Sequence, residues 1–116
     1  MQSNGRARQL TNILVLMTTS TRREAQRIAQ SLLQKRLIAC ANIHGPVDSH
    51  FWWQDKIEKA EEFLVLMKSS QKLFARLTKA VKEVHSYAVP EILAVPIVEG
   101  FQPYLDWLNA TLRIGE

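Results

Sequence analysis

The sequence is poor in most of the features that announce a specialised chemistry. Its 116 residues include one cysteine, Cys40, so no internal disulfide can form. A lone thiol without a disulfide framework fits a reducing compartment, and a cytoplasmic location is the expectation. No apolar run approaches the roughly 20 residues of a membrane-spanning helix, so no integral span is expected. Glycine and proline number four each, too few and too scattered to make an internal linker. The expected organisation is therefore a single domain over residues 11–116 behind a flexible arm, residues 1–10. The arm has no apolar core and does not read as a secretory signal. There is no nucleophile elbow, no Ser-His-Asp order, no CxxC, no HExxH and no Gly-rich phosphate loop. No enzyme class gains motif support, and a non-enzymatic protein is expected.

What is present begins with an uneven charge. The formal net charge is +4, yet residues 1–36 hold seven Lys and Arg against Glu24 alone, and the remainder is net negative. Nucleic-acid binding calls for basic residues on a continuous face interleaved with aromatics. Here they fall on the arm and on one amphipathic helix, which reads as a solvated face, and no nucleic-acid partner is expected.

Hydrophobic periodicity orders the elements. Ile13 to Met17 is a short apolar run rich in strand formers. Thr21 and Glu24 make a capping box, after which Ala25, Ile28, Ala29, Leu32 and Leu33 recur on one helical face. Leu37 to Ile43 reads as a second strand, kinked at Gly45-Pro46 because proline donates nothing to a ladder. Extended pattern resumes from Val47 to Gln54, turns near Asp55-Lys56, and returns from Ile57 into Phe63 to Met67. Ser69-Ser70 offers an N-cap for a helix with the stripe Leu73, Phe74, Leu77, Ala80, Val81 and Val84. Glu91 to Val98 is a fourth strand. Pro103 opens a last helix with Tyr104, Leu105, Leu108 and Leu112 on its apolar side. The order β-α-β-β-α-β with an appended helix defines an α+β, ferredoxin-like sandwich.

The hairpin from Ala39 to Met67 is out of scale with that domain. Each arm could extend on the order of 40 Å, against roughly 17 Å for the first strand. Its far half must overhang as a two-stranded ribbon with open edges, which is marginal alone and prone to pair with another chain. Phe51, Trp52 and Trp53 sit on this overhang. They either pack within the hairpin or bury themselves between subunits, and a closed homo-oligomer is the expectation.

Four blocks in order resemble the CutA family of divalent-cation tolerance proteins: Lys35 to Asn42, Trp53-Gln54-Asp55-Lys56-Ile57, His85 to Ile92, and Tyr104 to Leu108. The resemblance runs from about Asn12 to Leu112. It implies a ferredoxin-like subunit, a homotrimer akin to PII signalling proteins, and association with copper or another divalent metal ion that folding does not require. Animal members of the family are further linked to acetylcholinesterase anchoring, which implies a protein-partner scaffold as an alternative. The chain departs from the pattern at Met17, where a second Cys is frequent, at Ser86, where a Pro is frequent, and at Asp55, where a Gly usually turns the hairpin.

Candidate site residues follow from chemistry. Cys40 is either a packed strand residue or a soft ligand; with His85 and Met17 it would make a sensible copper set. His44 and His50 share a strand face only if Gly45-Pro46 leaves the register intact, and are expected to be surface histidines able to bind metal adventitiously. A second grouping puts His85, Tyr87 and Glu91 in the connection before the last strand. They are either structural, with Glu91 meeting Lys68, or the polar or metal-binding part of an inter-subunit ligand cleft walled by Trp53 and Tyr87, with Lys68 countering an anionic ligand as in a PII-like sensor. Phe51, Trp52, Tyr104 and Trp107 are expected at the trimer interface.

Overall fold

The computed structural model describes residues 11–113, so the arm expected at residues 1–10 lies outside the described residues. The elements are β1 (Asn12–Thr19), α1 (Arg22–Gln34), β2 (Cys40–Trp53), β3 (Lys56–Ser70), a 3-10 turn (Gln71–Leu73), α2 (Phe74–Val84), β4 (Ile92–Pro96) and α3 (Gln102–Thr111). The four strands form one antiparallel sheet in the order β2-β3-β1-β4, the ferredoxin-like arrangement, with β2 and β4 at its edges.

Each boundary has a local cause. The Thr21 hydroxyl accepts the Glu24 N–H and caps α1. Arg36 ends the helix in a left-handed conformation, φ 57°, while the Leu37 N–H reaches back to the Leu32 carbonyl, as in a Schellman cap. This reversal delays β2, which starts at Cys40 and not at Leu37 as the apolar run suggested. Leu37, Ile38 and Ala39 are buried nonetheless, held to β3 through Ser69 and Lys68. Ser70 caps the 3-10 turn that leads into α2. β4 is shorter than Glu91–Val98: it covers Ile92–Pro96, with Pro96 closing it where a missing donor costs least.

The core lies between the sheet and the two helices α1 and α2. Ile13, Val15 and Met17 of β1 and Val65 and Met67 of β3 meet Ile28, Leu32, Leu77 and Val81 there, all buried. Val84, at the end of the α2 stripe, is instead 45% exposed, as is much of Tyr104 on α3. The alternate residues of the strands form the opposite face: Leu14, Leu16, Leu64 and Leu66 are only half-buried, and Leu93 and Val95 are exposed. α3 closes one end of this face, where Asn109 bonds to Asn12.

β2 and β3 run for 14 and 15 residues, and the molecule's longest dimension is 48 Å. The register shifts between His44 and Val47, so that Gly45 and Pro46 of β2 oppose Phe63 alone of β3. The bulge at Gly45-Pro46 therefore reverses side-chain parity. Beyond it Val47, Ser49, Phe51 and Trp53 share the open face with Cys40, Asn42 and His44, while His50 turns to the other side. Arg22 pins the bulge, donating to the Gly45 carbonyl at 3.0 Å and lying over the Phe63 ring.

Candidate functional site

The chain leaving α2 carries most of the convergent polar groups. His85 ends α2 and its ring is buried. The Tyr87 N–H donates to His85 Nδ1 at 3.0 Å, so Nε2 holds the proton and donates to the Thr18 carbonyl at 2.8 Å. Glu24, also buried, accepts from the Ser86 N–H at 2.7 Å and its hydroxyl at 3.0 Å. Burial pushes the Glu24 carboxyl up, but the two Ser86 bonds and neighbouring His85 together hold it below its ordinary value. The Tyr87 hydroxyl donates to Glu62 at 2.6 Å. Burial first, then the bonded Glu62 carboxylate, pushes the Tyr87 phenol up, so it remains a neutral donor.

These bonds stand the 87–91 segment beside the base of the overhanging hairpin. Between them is a cleft of about 640 Å³ whose walls include Phe51, Trp53, Glu62, Tyr87, Val89 and Glu91. The aromatic walls come from β2 beyond the bulge, so the parity reversal at Gly45-Pro46 is what turns Phe51 and Trp53 into the cleft.

A second group sits at the other end of the open face. Lys68 bonds the Asn42 side chain and approaches Cys40 Sγ at 3.7 Å. Burial and then the adjacent Cys40 push the Tyr104 phenol up. Tyr104 stacks on Trp107 with centroids 5.4 Å apart.

The residues singled out in the sequence divide between these places. Trp53, Tyr87 and Glu91 line the cleft. Lys68 does not line it within the chain: it pairs with Cys40 and Leu14, whereas the cleft opens at the Thr18 end of β1, so no Lys68–Glu91 contact forms within one chain. Cys40, His85 and Met17 do not assemble as a metal set. Met17 is fully buried on the helix-facing side of the sheet, Cys40 is on the opposite side, and both His85 nitrogens are engaged by the backbone. His44 and His50 fall on opposite faces. Phe51, Trp52 and Trp53 are 39%, 71% and 50% exposed, so packing within the hairpin does not bury them. Tyr104 and Trp107 are likewise exposed. Glu62 was missed; its only signal was the period-two relation that sets it in line with Leu64, Leu66 and Lys68. Glu24 was read as a capping residue only.

A four-stranded ferredoxin-like sheet, helices on one face and a long ribbon projecting from the other elements, defines the class of small α+β protein to which this chain belongs. The family model for the CutA1 divalent ion tolerance protein matches residues 13–111, and the chain is a member of the CutA family. It is 44% identical to the divalent-cation tolerance protein CutA of Archaeoglobus fulgidus over 99 residues, 85% of this chain and 96% of the relative. The corresponding protein of Thermus thermophilus is 42% identical over 83% of this chain and 93% of its own. Among solved structures, CutA1 from Oryza sativa superposes with a TM-score of 0.88 at 35% identity, covering 90% of this chain and 96% of that one.

Proposed function

We propose that this chain serves divalent-cation tolerance as a non-enzymatic, closed homotrimer, with its cation contacts completed by assembly. The observation that carries the reading is the open sheet face. Leu14, Leu16, Leu64, Leu66, Leu93 and Val95 lie there without a full helical cover, and Phe51 and Trp53 share the same face on the overhang beyond Glu62. So much exposed apolar surface on one face is unfavourable in water and favours burial against further copies. β2 and β4 are the sheet's two edges and have no strand partner on their outer sides within the chain, and a head-to-tail contact between them makes a ring when its rotation closes.

Three-fold symmetry would also supply ligands that one chain lacks. Among the described residues no group of three His, Cys, Asp or Glu could hold an ion. In a trimer each residue near the axis recurs three times, and Cys40 and His44 both belong to the face that would turn inward. Thiolate suits Cu(I), and imidazole suits copper or zinc. The relatives' names as divalent-cation tolerance proteins support the metal, copper or another divalent ion, as ligand. A cytoplasmic location remains part of the proposal, supported by the single unpaired thiol.

Calorimetric titration of the metal-free protein with Cu(I), Cu(II) and Zn(II), repeated with Cys40→Ala and His44→Ala, tests the metal contact. Loss of about tenfold or more in affinity in one variant is expected, a ligand's removal being that costly. Identical affinities in all three proteins would remove both residues from metal binding.

A further inference from the structure

The cleft at the hairpin base has an electrostatic character that metal tolerance leaves unexplained. Glu62 is 7% exposed, yet its one hydrogen bond among the described residues comes from Tyr87, to Oε2. The ion pairs of the described residues involve Glu24 and leave Glu62 without a cationic partner. A carboxylate drawn this far out of water is costly unless a cation meets it. Glu91 adds a second negative group on the cleft wall, and no Lys or Arg lines it.

The remaining walls are of the kind that hold an apolar body. Trp53 and Phe51 present ring surface from β2, and Val89, 73% exposed, faces them from the 87–91 segment. Aromatic faces attract cations through their quadrupole, most strongly when water is excluded. The volume, about 640 Å³, lies in the range of small-molecule sites, roughly 300 to 1,000 Å³. An anion would meet two carboxylates, with His50 the one wall residue able to carry a positive charge. Glu62, Glu91 and His50 on these walls do not make a divalent-ion site, since among the described residues no three His, Cys, Asp or Glu are grouped to hold an ion.

We infer that this cleft binds a small organic cation, an ammonium or guanidinium group on an apolar body, with the charge at Glu62, the body against Trp53, Phe51 and Val89, and Glu91 attracting the ligand at the wall. Tyr87 holds the Glu62 carboxylate in place by its hydrogen bond. All these groups belong to one chain, but Phe51, Trp53 and Glu62 also lie on the face that the proposed trimer turns toward further copies, so the inference rests on that assembly leaving the cleft open, though not on metal binding.

The test compares three probes of the same body and different charge: phenethylamine, phenethyl alcohol and phenylacetate. Each is titrated calorimetrically, and Trp fluorescence is followed in parallel. The amine is expected to bind at least about tenfold more tightly than the alcohol, and phenylacetate not measurably, since a charge-assisted contact to a desolvated carboxylate is the discriminating interaction. Glu62→Gln should lower amine affinity about tenfold and leave the alcohol unchanged. Glu91→Gln, at an exposed position that folding tolerates, should lower it about threefold, and Trp53→Leu should weaken amine and alcohol together. Equal binding of amine and alcohol would overturn the inference by making the cleft merely apolar. Amine affinity unchanged in both Glu62→Gln and Glu91→Gln would overturn it as well. So would a wild-type protein that binds none of the probes, the result expected if a basic side chain of a neighbouring copy fills the cleft.

Discussion

Glu24 links the start of α1 to the end of α2, and its titration is a direct reading of that link. Its carboxylate accepts two bonds from Ser86, and its folded value lies below the ordinary one. The stability it contributes is therefore complete above the ordinary carboxylate range and is lost as pH falls through the lowered folded value. Glu24→Gln should cost about 1–3 kcal/mol near neutrality, the penalty for weakening buried charge-assisted bonds. Urea melts at a series of pH values should show the gap between the two proteins closing as the solution is acidified. Parallel curves would mean that Glu24 is not the group whose protonation loosens the 85–91 segment. Gly45 is decisive in a different way. It has φ +158°, and a Cβ built there would meet Phe63 Cδ2 at 2.6 Å and the Glu62 carbonyl at 3.0 Å. Gly45→Ala should destabilise by about 1–3 kcal/mol, as crowding in a packed site does. A denaturation midpoint equal to that of the wild type would show that the bulge accommodates a side chain.

At the scale of elements, the features legible in the sequence are those set by neighbours along the chain. Thr21 and Glu24 announce the start of α1, Ser70 the turn before α2, and strict helical spacing the buried faces of both. The long hairpin and its turn were legible because two extended patterns faced each other across Gln54-Asp55, which adopt φ 52° and 64°. The start of β2 was not, because Arg36 reverses the chain in a conformation that local apolar pattern does not encode. The site was only partly legible for the same physical reason. The register shift at Gly45-Pro46 exchanges the faces of every later residue in β2, placing Trp53 and Phe51 in the cleft and separating His44 from His50. Glu62 and Tyr87, 25 residues apart, meet only through the packing of the segment after α2 against the sheet, and Lys68 is carried away from Glu91 by its pairing with Cys40.

The whole molecule turns on the sheet face that a single copy leaves open. Leu93 on β4 is 56% exposed, and it lies beside Leu16 in the middle of that face. In an isolated chain, Leu93→Lys would leave the ammonium in water and change stability by no more than about 0.5 kcal/mol, as exposed substitutions usually do. In the proposed closed trimer the same change would turn three ammonium groups toward a shared apolar interior, where each unpaired charge costs several kcal/mol. The two states respond so differently that one substitution separates them. Light scattering of the wild type should give about 40 kDa, three chains of 13.3 kDa. Leu93→Lys should fall toward one chain's mass with its far-ultraviolet circular dichroism preserved. A variant that retains the trimer mass and the wild-type melting temperature would place Leu93 outside the interface, and the inward-turned sheet face, with the cation contacts at Cys40 and His44 that depend on it, would have to be abandoned.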